Sequence, residues 1–266
     1  MNVWSEDIVC PGGMPAFLAI PRTQGPFPIV ILMHERYGLA AHTKDLARRS
    51  AAGGFLTLAP DFFHKHPDKK ALNTGASRYD LSDLEAIDLI HSALAALKER
   101  PAADLGRVAV CGYCQTGRHP LVFAAQTKIS AAVVWYGAAS NREWEANALQ
   151  PRPLDEVIAA IDCPVFGAFG SDDHIISVAD VRRFRDTLER HNKSYDIRLY
   201  AGAPHGWLND TMPGRYRKPQ ADAAWMAQQR FLRDAFAGQW KPNAVRWQFA
   251  SEFSADYDFS KNRRQE

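Results

Sequence analysis

Short apolar runs alternate along most of the chain with longer segments whose apolar positions recur every three or four residues. Residues 6–10 and 14–20 flank Pro11-Gly12-Gly13, which predicts a β-hairpin. Runs at 29–33, 55–59, 108–111, 131–136, 165–169 and 197–200 are rich in β-branched or aromatic residues and apolar on both faces. Such runs predict strands inside a covered parallel sheet. Between them, Ile87, Ile90, Leu94 and Leu97 share one helical face behind a capping box at Ser82-Asp83-Leu84-Glu85. Val178, Val181, Phe184 and Leu188 form a second stripe, with Ser177 as its N-cap.

Repeated strand–helix alternation requires right-handed crossovers and predicts an α/β fold, a mostly parallel central sheet with helices on both faces. No Gly/Ser linker or sharp change of composition divides the chain, so residues 1–240 are expected to form one domain. Two stretches fit the alternation poorly. Residues 141–160, with Trp144, Leu149 and two prolines, are either a cap over a pocket or a long packed crossover. Residues 241–266 carry Trp247, Phe249, Phe253, Tyr257 and Phe259 among charges, and are expected to be a tail packed on the body or on a partner subunit.

Composition narrows the function classes. At 266 residues, 46% hydrophobic and 23% charged, the chain is of ordinary globular type. A net charge of +2 gives no ground for a nucleic-acid or anionic-membrane partner. The N-terminus lacks the basic and apolar regions of a signal peptide. The apolar stretch at 129–139 falls well short of the ~20 residues of a membrane helix. Four cysteines (Cys10, Cys111, Cys114, Cys163) do not make a disulfide framework, so a cytoplasmic monomer or homodimer is expected.

The stretch richest in chemistry is Cys111-Gly112-Tyr113-Cys114-Gln115-Thr116-Gly117, where an apolar strand runs through a glycine into a cysteine and then a helical segment over about 115–125. That is the context of a nucleophile elbow, and a helix N-terminus there favours a thiolate. Gly170-Ser171-Asp172-Asp173 and Pro204-His205-Gly206 follow later strands. The order nucleophile, acid, histidine is that of an α/β-hydrolase triad, and all three would converge at the strand carboxyl ends.

On these residues the chain resembles the dienelactone hydrolase family, over about 9–236. The shared features include residues 28–38 with His34-Glu35-Arg36-Tyr37-Gly38, as well as Ala59-Pro60-Asp61, Asp83-Leu84-Glu85-Ala86 and Tyr136-Gly137. The resemblance implies an α/β-hydrolase fold and a small ester or lactone as substrate. It implies Cys114 as nucleophile, His205 as base, Asp173 rather than Asp172 as its orienting acid, and the N–H groups of Arg36 and Gln115 as the oxyanion hole. It also implies that Glu35 contacts the nucleophile and helps govern its activation. Arg118 and Tyr37 are candidate substrate contacts, with a surface ion pair as the alternative for Arg118. The chemistry calls for no cofactor or metal.

Two departures stand out. The family has glycine two places after the cysteine, where this chain has Thr116 followed by Gly117. The family's carboxylate-gripping arginines also lack counterparts, the position four after the histidine being Asn209. Dienelactone itself is therefore not the expected substrate.

Competing readings have less support in the residues. His34-Glu35 opens a zinc-peptidase H-E-x-x-H, but Gly38 occupies the second histidine position. Cys111 and Cys114 spell C-x-x-C, the basis of an alternative non-catalytic or redox-sensing protein, yet no second C-x-x-C exists. His64 and His66, among Lys65, Lys69 and Lys70, fit a solvated loop better than a ligand set.

Overall fold

A computed structural model describes residues 2–241 and 243–252. The strands are β1 Val3–Cys10, β2 Met14–Pro21, β3 Phe27–Leu32, β4 Leu56–Pro60, β5 Ala103–Tyr113, β6 Ala131–Trp135, β7 Val165–Gly170, β8 Tyr195–Tyr200 and β9 Trp247–Ser251. The α-helices are α1 Ala41–Ala52, α2 Lys69–Thr74, α3 Asp83–Ala95, α4 His119–Ala124, α5 Leu154–Ala159, α6 Val178–Arg190 and α7 Lys218–Phe236. Among the described residues one sheet contains every strand, in the order β1-β2-β4-β3-β5-β6-β7-β8-β9. The β1–β2 and β2–β4 pairs are antiparallel and the rest parallel, as the alternation predicted.

Strand pleating explains why the central runs are apolar throughout. Ile29, Ile31, Val108, Val110, Ala132 and Val134 face one buried layer with α3, α4, α5 and α6. Val30, Leu32, Ala109, Cys111, Ala131 and Val133 face the other, with α1 and α7. Each central strand thus buries both faces, and helices cover both. The caps also form. The Glu85 N–H donates to Ser82 Oγ at 3.2 Å, and Ser177 and Asp180 close a reciprocal capping box before α6.

Three features differ from the sequence pattern. The segment after Cys114 is a 3₁₀ turn, Cys114–Arg118, leading into the short α4, not one continuous helix. Helix α7 escaped notice because its inner face mixes Ala221, Ala224 and Ala227 with the buried Gln228, which accepts from Trp135 Nε1. Within the tail, Trp247–Ser251 form β9, bonded parallel to β8. Phe253, Tyr257 and Phe259 lie outside the described residues.

Candidate active site

The carboxyl ends of five parallel strands carry the site. Loops after β3, β5, β6, β7 and β8 deliver Glu35 and Arg36, Cys114, Tyr136, Asp173 and His205 respectively. Cys114 is held at φ 54°, a left-handed conformation that costs a non-glycine residue energy and lifts its side chain above the sheet edge. Gly112 permits this turn, because a Cβ there would lie 2.4 Å from the Thr116 carbonyl oxygen. Gly117 supplies the close helix–strand approach, since its Cβ would sit 2.7 Å from Gly137 Cα.

Thr116 has a positive role that its place in the sequence did not reveal. Its Oγ1 accepts from the Tyr113 N–H at 3.1 Å and donates to the His34 carbonyl at 2.8 Å. The hydroxyl thereby ties the elbow to the end of β3, where Glu35 and Arg36 begin. A glycine could not make that tie.

His205 Nε2 lies 3.0 Å from Cys114 Sγ, and its Nδ1 lies 2.8 Å from Asp173 Oδ2. Asp173 is buried, and its Oδ1 accepts from the N–H groups of Ile175 and Ile176 at 2.8 and 3.1 Å. Asp172 is exposed and accepts from Ser171 Oγ. Burial would lower the His205 pKa, but its hydrogen bonds to Asp173 and Cys114 outweigh burial and raise it to about 10. The ring faces sulfur on one side and carboxylate on the other.

Glu35 is buried, and both of its oxygens are engaged. Tyr136 Oη donates to Oε1 at 3.0 Å and Asn209 Nδ2 donates to Oε2 at 2.7 Å. Asn209, noted in sequence only as a departure, thus holds Glu35. Burial, and then the adjacent carboxylate, push the Tyr136 phenol well above its usual pKa, so it stays a donor. The Tyr136 ring meets His205 edge-on at 5.4 Å. The thiol's hydrogen-bond partner in this state is His205, not Glu35.

A cavity of ≈170 Å³ opens over Cys114, lined by Arg36, Gln115, Tyr136, Arg142, Ile176 and His205 among others. The two candidate substrate contacts do not line it. Arg118 is buried, not at the surface, with Nε and Nη2 donating to Asp83 at 2.9 and 3.0 Å and Nη1 to the Glu143 carbonyl at 3.3 Å. Tyr37 faces a separate pocket behind Glu35, next to Asn209. The arginines that do reach the Cys114 cavity, besides Arg36, are Arg78 and Arg142. Sequence reasoning missed both, because neither sits at a strand end or in a motif. Arg142 shows that residues 141–160 contribute a wall of the cavity as well as a crossover.

Cys111 lies within β5, fully buried, and burial raises its thiol pKa far above the ordinary value. All four cysteines are free thiols. A packed, protonated thiol is a poor redox partner for Cys114.

Two further buried histidines set a pH dependence of stability. Burial pushes His34 and His119 down to about 4, against the opposing pull of Asp61 and Asp83. Between about pH 6.5 and 4 the unfolded chain binds protons that these folded sites refuse, so stability falls as pH falls through that window. His205 has the opposite sign. Its contribution is complete below pH 6.5 and is lost as pH rises toward 10. Urea midpoints check the acid limb, and the midpoint at about pH 5 is expected to be lower than at about pH 7. Equal midpoints would contradict it.

The model of the dienelactone hydrolase family matches residues 14–236. A Methylorubrum extorquens protein named "Putative carboxymethylenebutenolidase" is 30% identical over 228 residues, covering 84% of this chain and 77% of that protein. A Bradyrhizobium protein named "Probable 2-oxo-3-(5-oxofuran-2-ylidene)propanoate lactonase" is 28% identical, covering 84% and 90%. Among solved structures, a Klebsiella pneumoniae protein titled "Putative Dienelactone Hydrolase" superposes with a TM-score of 0.77 at 27% identity, covering 88% of this chain and 99% of that one.

Proposed function

Because the chain belongs to the dienelactone hydrolase family, we propose that it hydrolyses a small ester or lactone through Cys114, His205 and Asp173. The observation that carries this reading is one imidazole bridging sulfur at 3.0 Å and a buried carboxylate at 2.8 Å. Residues 1–240 then form the hydrolase domain, and the substrate is a small molecule in the cytoplasm.

In this mechanism His205 takes the Cys114 proton as sulfur attacks the acyl carbon. The N–H groups of Gln115 and Arg36 receive the oxyanion, each such donor being worth roughly 2.7–4 kcal/mol. As the carbon–oxygen bond breaks, His205 gives its proton to the leaving oxygen. Water then attacks the thioester while His205 takes one of its protons. The carbon–sulfur bond breaks, the acid departs and the thiol is restored. Asp173 keeps Nδ1 protonated, so that Nε2 alone exchanges protons.

Mass spectrometry after brief exposure to an activated ester tests the reading, with an acyl group expected on the Cys114 peptide. A hydrolysing protein with label elsewhere, or with none, would exclude a Cys114 thioester.

Glu35 fits a role in controlling the thiolate. Tyr136 and Asn209 hold the buried Glu35 charge in place, and the Tyr136 ring packs edge-on to His205, so a second negative charge in the site is disfavoured. Glu35→Gln is expected to speed iodoacetamide alkylation of resting Cys114 several-fold while lowering turnover. Unchanged alkylation with unchanged turnover would make Glu35 only a structural brace.

A further inference from the structure

Arg36 and Gln115, whose N–H groups would receive the oxyanion, also share an anchor. Arg36 Nη2 donates to the Gly75 carbonyl at 3.0 Å, and Gln115 Nε2 donates to the Tyr79 carbonyl at 2.5 Å. Both residues are half-buried, and both side chains reach the one short segment between α2 and α3. That segment is itself held at each end. Gly75 closes α2 at φ 78°, its N–H donating to the Leu72 carbonyl at 3.0 Å, and the Ser77 N–H donates to the Ala71 carbonyl at 3.1 Å. A Cβ at position 75 would lie 3.0 Å from the Tyr37 ring, so the segment runs close over the loop that carries Arg36. At the other end, Tyr79 Oη donates to Glu85 in the first turn of α3 at 2.9 Å, and its ring packs on the buried Phe63 at 5.1 Å. Between the two anchors, Arg78 lines the cavity over Cys114.

We propose that residues 75–79 are a strap that fixes the oxyanion hole, with the Arg36 and Gln115 side chains as its positioning residues. A backbone N–H can come from any residue but proline, so the hole itself asks nothing of these two side chains. Their polar ends serve the strap instead. The Thr116 hydroxyl already ties the elbow to the His34 carbonyl. One tie between two loops sets their separation but leaves each free to turn about it. The strap adds a second connection, from residue 36 through 75–79 to residue 115, and removes that hinge. Oxyanion donors need such control, since they act at roughly 2.7–3.1 Å from the oxygen. A displacement of about 1 Å can cost about 10²-fold in rate.

The proposal rests on the hydrolase reading above, so one of its three measurements needs no turnover. The first is acylation of Cys114 by phenyl acetate, which passes through an oxyanion. The second is alkylation by iodoacetamide, which displaces iodide at a saturated carbon and forms no oxyanion. The third is affinity for 1,1,1-trifluoroacetone, read by fluorine NMR, whose adduct with the thiol carries the oxyanion without a leaving group. Gln115→Met and Arg36→Met each remove one anchor while keeping most of the side chain. Each is expected to slow acylation about 10–100-fold and to weaken the ketone adduct by a similar factor. Alkylation should stay within about twofold, which also shows that the elbow is intact. Arg36→Lys keeps a donor within reach of the Gly75 carbonyl and should retain acylation within about threefold. The double variant should fall no more than about threefold below the slower single variant, because either loss alone frees the hinge. Unchanged acylation and adduct affinity, acylation and alkylation falling together, or losses that multiply in the double variant would each overturn the strap. A weakened adduct in variants of a protein that hydrolyses no ester would uphold the strap and sink the hydrolase reading. A native protein that takes up neither ester nor ketone would overturn both.

Discussion

Cys114→Ala is expected to abolish ester hydrolysis, lowering kcat by at least about 10⁴-fold while the protein stays folded. The size of the effect comes from the geometry. His205 and Asp173 act only through the sulfur 3.0 Å away, so removing it leaves an imidazole with nothing to activate. What survives is substrate binding and the backbone donors, which alone give modest catalysis. Folding should tolerate the change, because Cys114 is half-buried at the cavity floor and alanine demands no more space at φ 54° than cysteine does. The measurement is steady-state hydrolysis on variant protein with a native thermal melt. Substantial turnover by such protein would mean that another group is the nucleophile.

Asp173→Asn is expected to cost about 10²–10⁴-fold in kcat, and Asp172→Asn less than about threefold. The two neighbours differ in what they touch. Asp173 is buried with one oxygen on His205 Nδ1 and the other fixed by two backbone N–H groups, whereas Asp172 is exposed with a serine hydroxyl as partner. An amide at 173 can present its NH₂ to Nδ1, which forces the proton onto Nε2 and away from the position catalysis requires. Asp173 also accounts for part of the raised His205 pKa, so Asp173→Asn should move the basic limb of the pH–rate profile downward. Asp172→Asn should leave that limb in place. The reverse ranking of the two variants would show that the acid had been misassigned.

The sheet was legible because its signal is local. Each central strand buries both faces, so 29–33, 108–111, 131–136 and 165–169 stand out as apolar runs whatever surrounds them. Strand β9 was not, since Trp247 is exposed and its run borders charged residues at the sheet edge. The elbow was legible too, through Gly112 and Cys114 after an apolar strand, and so was the order of acid and histidine. The family resemblance turned that order into residue assignments.

The cavities were not legible in the same way. Arg118, Asp83 and Glu143 are 35 and 25 residues apart along the chain and meet only because α3, the elbow turn and the 141–144 turn pack together. Charge pattern alone made Arg118 a substrate contact or a surface ion pair, whereas packing buries it. Arg78 and Arg142, in loops without a motif, reach the cavity that Arg118 does not. Thr116 and Asn209 looked like losses against the family pattern, and become a tie to His34 and a donor to Glu35. By itself the sequence determined the strand order of the chemistry, the elbow and the residue types of the proposed triad, because backbone propensity and burial act on neighbours in the chain. Which polar groups partner one another, and so what the cavities accept, was decided by tertiary packing, because a hydrogen bond depends on distances that no local pattern encodes.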